Sequence, residues 1–375
     1  VYDRVHPNDH VNLGQSTNDT YPSALRMALR MELDGLIRAV QACARAFAAK
    51  GREFAGVAKA GRTHLQDAVP VTLGMELGAY GASLLPCAGE LRHAADGLLE
   101  LGLGGSAAGT GMNVDRRATR LALRRMSKQT GHRWRQAANL AAAMQSQLPL
   151  SVASAAMRNL ALELIRITND LRLLASGPRA GLHELDLPAL QPGSSIMPGK
   201  VNPVMPEMLA MVAFQAVGND TATALAVQAG QLELNVMMPA MARATLESAS
   251  ILTCGLNVFT ERCIAGLRAA RGGCETSAYA TLALAASLNP YIGYSRAAKL
   301  VQEALRTGRP LLEVARAAHV LPEAQLKQLL DPVAATGTRP KRSGRALPAV
   351  EAQTRGGRGC ATACAQARRP AGTPG

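Results

Sequence analysis

The most informative segment of the chain is residues 193–203, which read Gly193-Ser194-Ser195-Ile196-Met197-Pro198-Gly199-Lys200-Val201-Asn202-Pro203. It closes a long loop, predicted over 181–203, that separates two runs of apolar residues. A loop of this length inside a compact domain is usually functional. Its two glycines let the backbone swing, and a loop that closes over a site excludes water. We therefore expect this segment to carry chemistry.

The sequence on either side of this loop predicts helices. Hydrophobic residues make up 48% of the 375-residue chain and aromatic residues only 3%, and the Ala, Leu and Met that dominate lose little side-chain freedom in a helix. Periodicity places helices at about 22–50, 73–101, 116–130, 137–175 with a kink at Pro149, 204–229 and 241–270. Long helices with short connections indicate a bundle, so the predicted fold is an all-α long-helix bundle.

Three domains are predicted from these patterns. A central helical-bundle domain spans 1–273, and a small helical C-terminal domain spans 274–332. A basic tail over 333–375 lacks the apolar residues that folding needs and is predicted to be disordered. The chain opens directly into a polar motif and Val1 is not an initiator Met, so we expect an N-terminal truncation.

Net charge and cysteine usage narrow the class of protein. Half of the formal +14 charge lies in the last 42 residues, where eight Arg and Lys stand against one acid, Glu351. A nucleic-acid enzyme would instead spread its charge over a folded face with aromatics between, so we expect no nucleic-acid binding by the body. No apolar run reaches membrane-spanning length. The seven cysteines form no CxxC pair, which favours a reducing compartment and a cytoplasmic protein.

Two further polar segments, 6–19 and 61–67, interrupt the apolar body. Ser, Thr and Asn are uncharged donors suited to holding a carboxylate. Capping of the helix near Pro22 by Thr17 or Asp19 is the alternative explanation for the first segment. Three such loops make a shared binding site the better interpretation. No His, Cys or carboxylate cluster has metal-ligand spacing, so no metal is expected.

Residues 193–203 followed by Glu207 resemble the signature loop of the fumarase/aspartase superfamily, Gly-Ser-Ser-x-Met-Pro-x-Lys-x-Asn-Pro ending in Glu. The match holds at every fixed position, and the two other polar segments match the two other conserved regions in order. The resemblance covers about 2–332. It implies a dicarboxylate substrate, no cofactor, and a homotetramer whose active sites are built from three subunits.

Within that superfamily the chain is more similar to the aspartate-specific branch than to fumarases. The features that favour this branch are Ser16-Thr17-Asn18-Asp19, Ala180, Val204-Met205-Pro206-Glu207 and Gly230-Gln231-Leu232-Glu233-Leu234-Asn235-Val236. The implied reaction is the reversible anti-elimination of ammonia from L-aspartate to give fumarate. A fumarate hydratase acting on malate and fumarate, and a catalytically silent truncated helical oligomer, remain as alternatives.

The resemblance also assigns roles to residues. Ser194 is the base, its alkoxide stabilised by the backbone N–H groups of 193–195 and by Lys200. Lys200 and Asn202 grip a substrate carboxylate, and Glu207 orients His64. The remaining substrate-binding positions are Ser16, Thr17, Asn18, Thr63 and Ser195. His6 resembles a secondary anion-binding position, with a solvated loop histidine as the equal alternative. Donors around the developing dianion supply the largest catalytic effect.

Several positions depart from the family pattern. The resemblance leads us to expect a Gly-Thr-Ser-x-Asn segment upstream, which this sequence lacks. Met238 replaces a usual Glu, Met75 replaces a usual Gln, and Ser106-Ala107-Ala108 replaces a Thr-Ala-Val/Ile stretch. These departures keep the silent oligomer open as an alternative.

Overall fold

The computed structural model describes residues 3–337, which are mostly helical. Its helices are α1 (Thr17–Glu53), α2 (Leu73–Gly97), α3 (Arg116–Thr130), α4 (Leu140–Gln145), α5 (Leu148–Leu174), α6 (Val204–Gln228), α7 (Met238–Phe259), α8 (Arg271–Ala280), α9 (Asn289–Ile292), α10 (Tyr294–Thr307), α11 (Leu311–Ala317), α12 (Glu323–Leu329) and α13 (Pro332–Ala335). Short strands form three two-stranded sheets: β1 (Ala58–Thr63) with β2 (Gln66–Thr72), β3 (Glu100–Leu101) with β4 (Arg135–Gln136), and β5 (Leu185–Asp186) with β6 (Arg268–Ala269).

The body is a bundle of five long helices, α1, α2, α5, α6 and α7, which pack on one another. Their apolar faces form one continuous core. Phe47 lies in it, with its ring centroid 5.8 Å from that of Tyr80 and 6.4 Å from that of Phe259. Edge and tilted contacts at these distances suit aromatic rings. The predicted all-α bundle is confirmed.

Helix α1 begins five residues before its predicted start. Ser16 accepts a hydrogen bond from the Asn18 N–H, and the Asp19 carboxylate accepts one from the Ser16 N–H, which makes a capping box. Such a pair satisfies backbone donors that the first helical turn leaves free. Capping therefore explains part of the first polar segment, with Ser16 as the cap residue. Pro22 lies inside the helix rather than at its start.

The polar segment at 61–67, predicted as a loop, lies in a β-hairpin, so that prediction was wrong. Strands β1 and β2 pair antiparallel, and Thr63 lies opposite Gln66. The two turn residues, His64 and Leu65, have φ of +55° and +58°. Two-residue hairpin turns commonly need this left-handed backbone. The polar side chains of 63–67 are exposed, which is why composition alone indicated a loop.

Pro149 begins a helix instead of kinking one. The predicted helix over 137–175 is divided into α4 and α5. At the break, the buried Arg26 of α1 donates to the Ser146 carbonyl and to the Gln147 side chain, both at 3.1 Å. A helix end leaves carbonyl groups free to accept such bonds. Arg26 therefore connects the first turns of α1 to the break between α4 and α5.

Helix α5 is long and apolar enough to cross a membrane by length and composition. It packs against α2, α6 and α7 inside the bundle, and its buried residues include Leu160, Leu164 and Ile167. A helix that is apolar on several faces is expected in the core of a large bundle.

Helix α7 ends at Phe259, earlier than predicted, and one π-helical turn follows it at Thr260–Ile264.

A second apolar core lies in the C-terminal part of the chain. It contains Leu284, Leu288, Leu300, Leu311 and Leu326 and is separate from the bundle core. This separation supports a domain boundary near residue 274, which stays a prediction. Helix α13 includes the first residues assigned to the disordered tail, so they are ordered. The tail from residue 338 onward lies outside the described residues.

Candidate active site

The 193–203 loop folds tightly around the Ser194 hydroxyl. Its oxygen accepts the N–H groups of Ile196 and Met197, each at 3.2 Å. The Ser194 N–H donates to the Lys200 carbonyl at 3.2 Å. The donors were predicted in 193–195, and that prediction was wrong. A serine side chain in a local turn accepts from residues two and three positions later. Two N–H dipoles aimed at one oxygen stabilise negative charge on it.

The conformation of this loop requires a glycine at its start. A Cβ on Gly193 would overlap the carbonyl oxygen of Lys200. Gly199 has φ of +82°, a region that favours glycine. The side chains of Ser195, Ile196, Lys200 and Asn202 are exposed, and Ile196 retains 87% of its accessible surface. The loop is thus held together by its own hydrogen bonds, while its side chains remain accessible to a ligand.

Glu207 lies in the first turn of α6, as predicted. Its carboxylate is 3.6 Å from the Arg172 guanidinium, near the end of α5. Among residues 3–337, no hydrogen bond or ion pair joins Glu207 to His64. Within one chain, the predicted role of Glu207 in orienting His64 is therefore not realised.

Thr63 and His64 stand at the exposed tip of the β1–β2 hairpin. The base of the hairpin is held by a buried ion pair. Arg62, adjacent to Thr63, donates to both carboxylate oxygens of Glu184 at 2.9–3.0 Å. Glu184 is fully buried, so the pair is shielded from solvent and strengthened by the low local dielectric. Glu184 was not among the predicted site residues.

Ser16, Thr17 and Asn18 surround the N-terminus of α1. The Asn18 amide donates to the Ala107 carbonyl at 2.9 Å. The buried Asp19 carboxylate accepts the N–H groups of Gly104 at 2.9 Å and Ser106 at 3.0 Å. The first polar segment is therefore fixed to the glycine-rich loop at 102–111. Asp19 was considered only as a cap, and the signal for its wider role was an acid at the third position of a capping box.

A cavity of about 390 Å³ adjoins this first segment. Its lining includes His10, Gln15, Asp19, Gly104 and Asn113. His6 precedes the residues that line this cavity and caps a short π-helical turn, Pro7–Val11. Its ring nitrogen accepts the N–H groups of Asn8 and Asp9 at 3.3 Å. Across residues 3–337, no group of three or more His, Cys, Asp or Glu side chains converges as a metal site would require.

The three predicted site loops do not meet within one chain. Helix α1 has 37 residues and is therefore about 55 Å long at 1.5 Å per residue. Ser16 caps its first turn, whereas the hairpin follows its last. The 193–203 loop belongs to the hairpin end, because Glu184 before it contacts Arg62 and Glu207 after it pairs with Arg172. Ser16–Asn18 and Ser194 thus lie at opposite ends of the bundle.

Comparisons with known proteins agree with this architecture. The sequence model of a family described as Lyase matches residues 2–218, and one described as Fumarase C C-terminus matches residues 284–337. The chain is 45% identical over 332 residues to an aspartate ammonia-lyase of Pseudomonas aeruginosa, covering 88% of this chain and 70% of that protein. It is 41% identical over 328 residues to that of Escherichia coli K12, covering 88% and 69%.

Solved structures show the same likeness. A fumarate lyase:delta crystallin from Brucella melitensis, bound to cobalt, is 42% identical with a TM-score of 0.86 and covers 89% of this chain and 73% of that one. A class II fumarase from Schistosoma mansoni is 35% identical with a TM-score of 0.82, covering 90% and 74%. The long-helix bundle and its loops are therefore those of a known enzyme family.

Proposed function

Since this chain belongs to the fumarase/aspartase lyase family, we propose that it removes ammonia reversibly from L-aspartate to give fumarate. The observation that carries the proposal is the Ser194 oxygen held by two backbone N–H groups on an exposed, glycine-hinged loop. Relatives 41–45% identical to it are named aspartate ammonia-lyases, whereas the fumarase structure is 35% identical. Aspartate is accordingly favoured over malate.

The chemistry begins with proton removal from the carbon next to one substrate carboxylate. Serine is a poor base as a hydroxyl, and its alkoxide needs stabilisation. The N–H groups of Ile196 and Met197 supply it without reorganisation, because the loop already aims them at the oxygen. Electrons then move into the carboxylate to form an enediolate dianion. The amine on the neighbouring carbon leaves, and fumarate remains.

The dianion is the species that the site must stabilise most. Lys200 offers a positive charge and Asn202 a neutral donor, both on the exposed loop that carries Ser194. Ser195 adds a hydroxyl beside them. We assign Ser16, Thr17, Asn18, Thr63 and His64 to the other polar groups of the substrate. Preorganised donors of this kind are each worth about 10²–10³ in rate.

We further propose that the complete site forms between copies of the chain in a homotetramer. The length of α1 supports this, since it keeps Ser16–Asn18 about 55 Å from the end that carries Ser194. In such an assembly His64 of one copy would approach Glu207 of another, which restores the predicted pairing. The scattered cysteines, which form no CxxC pair, support a cytoplasmic location.

A stripe on α6 supports association between copies. Met211, Phe214, Gly218, Thr221 and Leu225 are all exposed, and they follow the alternating three- and four-residue spacing of a helix–helix seam. Phe214 retains 57% and Leu225 61% of its accessible surface. Exposed large apolar residues that share one helix face, here with small residues between them, mark an interaction site. A second copy of α6 can cover this row.

The direct test is an assay of the chain with aspartate, followed by the absorbance of fumarate, with malate in a parallel cuvette. Turnover of aspartate with little turnover of malate is expected. Turnover of malate alone would overturn the aspartate assignment in favour of fumarate hydration. No turnover of either substrate by a folded oligomer would instead favour the silent scaffold.

A further inference from the structure

The base of the hairpin rests on a buried cluster of charged side chains. Glu184 is completely buried and accepts hydrogen bonds from Arg62 through two guanidinium nitrogens. The Lys59 ammonium lies 3.2 Å from its second oxygen, and the Ser277 hydroxyl donates to its first at 2.6 Å. A buried carboxylate is tolerated when its lone pairs are filled in this way. Arg62 and Glu184 meet as a planar fork.

The cluster is balanced by a second carboxylate. Lys59 also donates to Glu76 at 2.8 Å. Burial raises the pKa of Glu76, and the positive charge and hydrogen bond of Lys59 oppose that rise. Two cations thus face two carboxylates, which leaves little net charge in the interior. Because the charges balance, the main effect of the cluster is to fix the relative positions of these four side chains.

Glu184 itself is firmly placed by its backbone. Its N–H donates to the Leu174 carbonyl at 2.8 Å, and its carbonyl accepts the Ala270 N–H at 3.2 Å. The Cys274 thiol lies 3.3 Å from the same carbonyl. The backbone of Glu184 is therefore anchored to the end of α5 and to α8, independently of the hairpin.

The hairpin depends on this anchor for its orientation. Between Arg62 and the turn residue His64 there is only Thr63, and the tip itself is exposed to solvent. Ser277 also accepts the Ala60 N–H at 3.3 Å, which ties the middle of β1 to α8. A two-stranded hairpin is marginal on its own. Its direction in space is thus set by the contacts of 59–62.

We propose that Glu184 is a positioning residue for the reaction, acting through Arg62 to fix where Thr63 and His64 are presented to substrate. The inference rests on the proposed lyase function. It predicts that loss of the Arg62–Glu184 pair weakens substrate binding, because Thr63 and His64 would no longer be held where they contact the substrate. A purely structural pair would lower thermal stability and leave the kinetic constants unchanged.

The test compares Glu184→Gln and Arg62→Lys with the wild-type chain. Gln cannot form the bidentate pair, and Lys keeps the charge but loses the fork. Both variants are expected to raise KM for aspartate about 10-fold or more, with a smaller fall in kcat. Peptides covering 60–68 should exchange amide hydrogen faster, while the bundle peptides exchange as before. Glu303→Gln, which breaks an exposed pair with Arg306, is the matched control and should change neither quantity.

Two outcomes would overturn the proposal. One is a folded Arg62→Lys or Glu184→Gln chain with unchanged KM and unchanged exchange at 60–68. The other is a fall in melting temperature alone. If Glu184→Gln does not fold, Arg62→Lys decides, because it retains the positive charge. If the wild-type chain does not turn over aspartate, the proposed function fails by itself, whereas unaltered exchange at the hairpin would show separately that Glu184 does not position it.

Discussion

Thr17 and His64 lie at opposite ends of helix α1. Thr17 is its first residue, and His64 stands in the hairpin turn that follows its last residue, Glu53. The 37-residue helix between them is about 55 Å long, far more than the length of a four-carbon dicarboxylate. If both residues bind one substrate molecule, they must come from different copies of the chain.

Mixing two defective chains should therefore restore activity. Thr17→Val removes a hydroxyl, and His64→Asn keeps a residue type that tolerates the left-handed backbone at this position. Each variant alone is expected to lose most of its turnover. Randomly mixed oligomers should recover about a quarter of the wild-type rate, because about a quarter of the sites would contain neither change. Co-refolded mixtures assayed for fumarate measure this, and no recovery would contradict a shared site.

Substitution of the proposed base should abolish turnover without unfolding the protein. Ser194→Ala removes the oxygen that accepts the Ile196 and Met197 N–H groups. A positioned base is worth about 10²–10⁴ in rate, so kcat should fall by at least that range. The loop is exposed, so the urea midpoint should not move. Ser195→Ala is the matched control with a smaller loss, and unchanged activity in Ser194→Ala would remove Ser194 from its role.

The loop geometry can be disturbed without touching a polar group. In Gly193→Ala the new Cβ overlaps the Lys200 carbonyl and forces the loop open. Misplacing Ser194 in this way should lower kcat about 10²-fold and leave the melting temperature unchanged. Gly89→Ala in α2 meets nothing within 4 Å and should instead stabilise the fold by about 0.5–1 kcal/mol. Steady-state kinetics and thermal unfolding separate the two effects.

The buried Asp19 should matter for both stability and binding. Asp19→Asn removes the negative charge that three backbone N–H groups share, those of Ser16, Gly104 and Ser106. Hydrogen bonds to charged groups contribute about 1.5–3 kcal/mol each, so urea unfolding should report a loss of about 2–3 kcal/mol. KM for aspartate should rise, since Ser16–Asn18 lose their support. Asp96→Asn, on an exposed part of α2, should show neither change.

The α6 stripe gives a prediction about assembly. Phe214→Asp places a charge in the middle of the exposed row and should dissociate the oligomer at micromolar concentration, because a charge without a partner is expensive to bury. Light scattering on a sizing column measures the mass, and activity should fall with it. Leu305→Asp, at an exposed apolar position in α10, should leave the mass unchanged. A monomeric wild-type chain would rule out the seam.

The sequence by itself determined the fold class and the family, and it supplied the residues that we propose for the site. Helical periodicity is local, so it placed α3 at its observed bounds and α6 within one residue. The 193–203 loop has a fixed pattern of residue types, which identified the family and led to the proposal of Ser194 as the base without coordinates. At residues 61–67 an exposed hairpin turn has the same polar composition as a loop, and there the sequence indicated the wrong structure.

Only the tertiary structure decided which groups meet. The contacts of Asp19 with Gly104 and of Arg62 with Glu184 join residues 85 and 122 positions apart, and no local pattern encodes such partners. The fold likewise showed that Glu207 pairs with Arg172 in its own chain. The separation of Ser16–Asn18 from Ser194 follows from helix length and packing direction. Hydrogen bonds and ion pairs depend on distances in space, and those distances are set only when the helices pack.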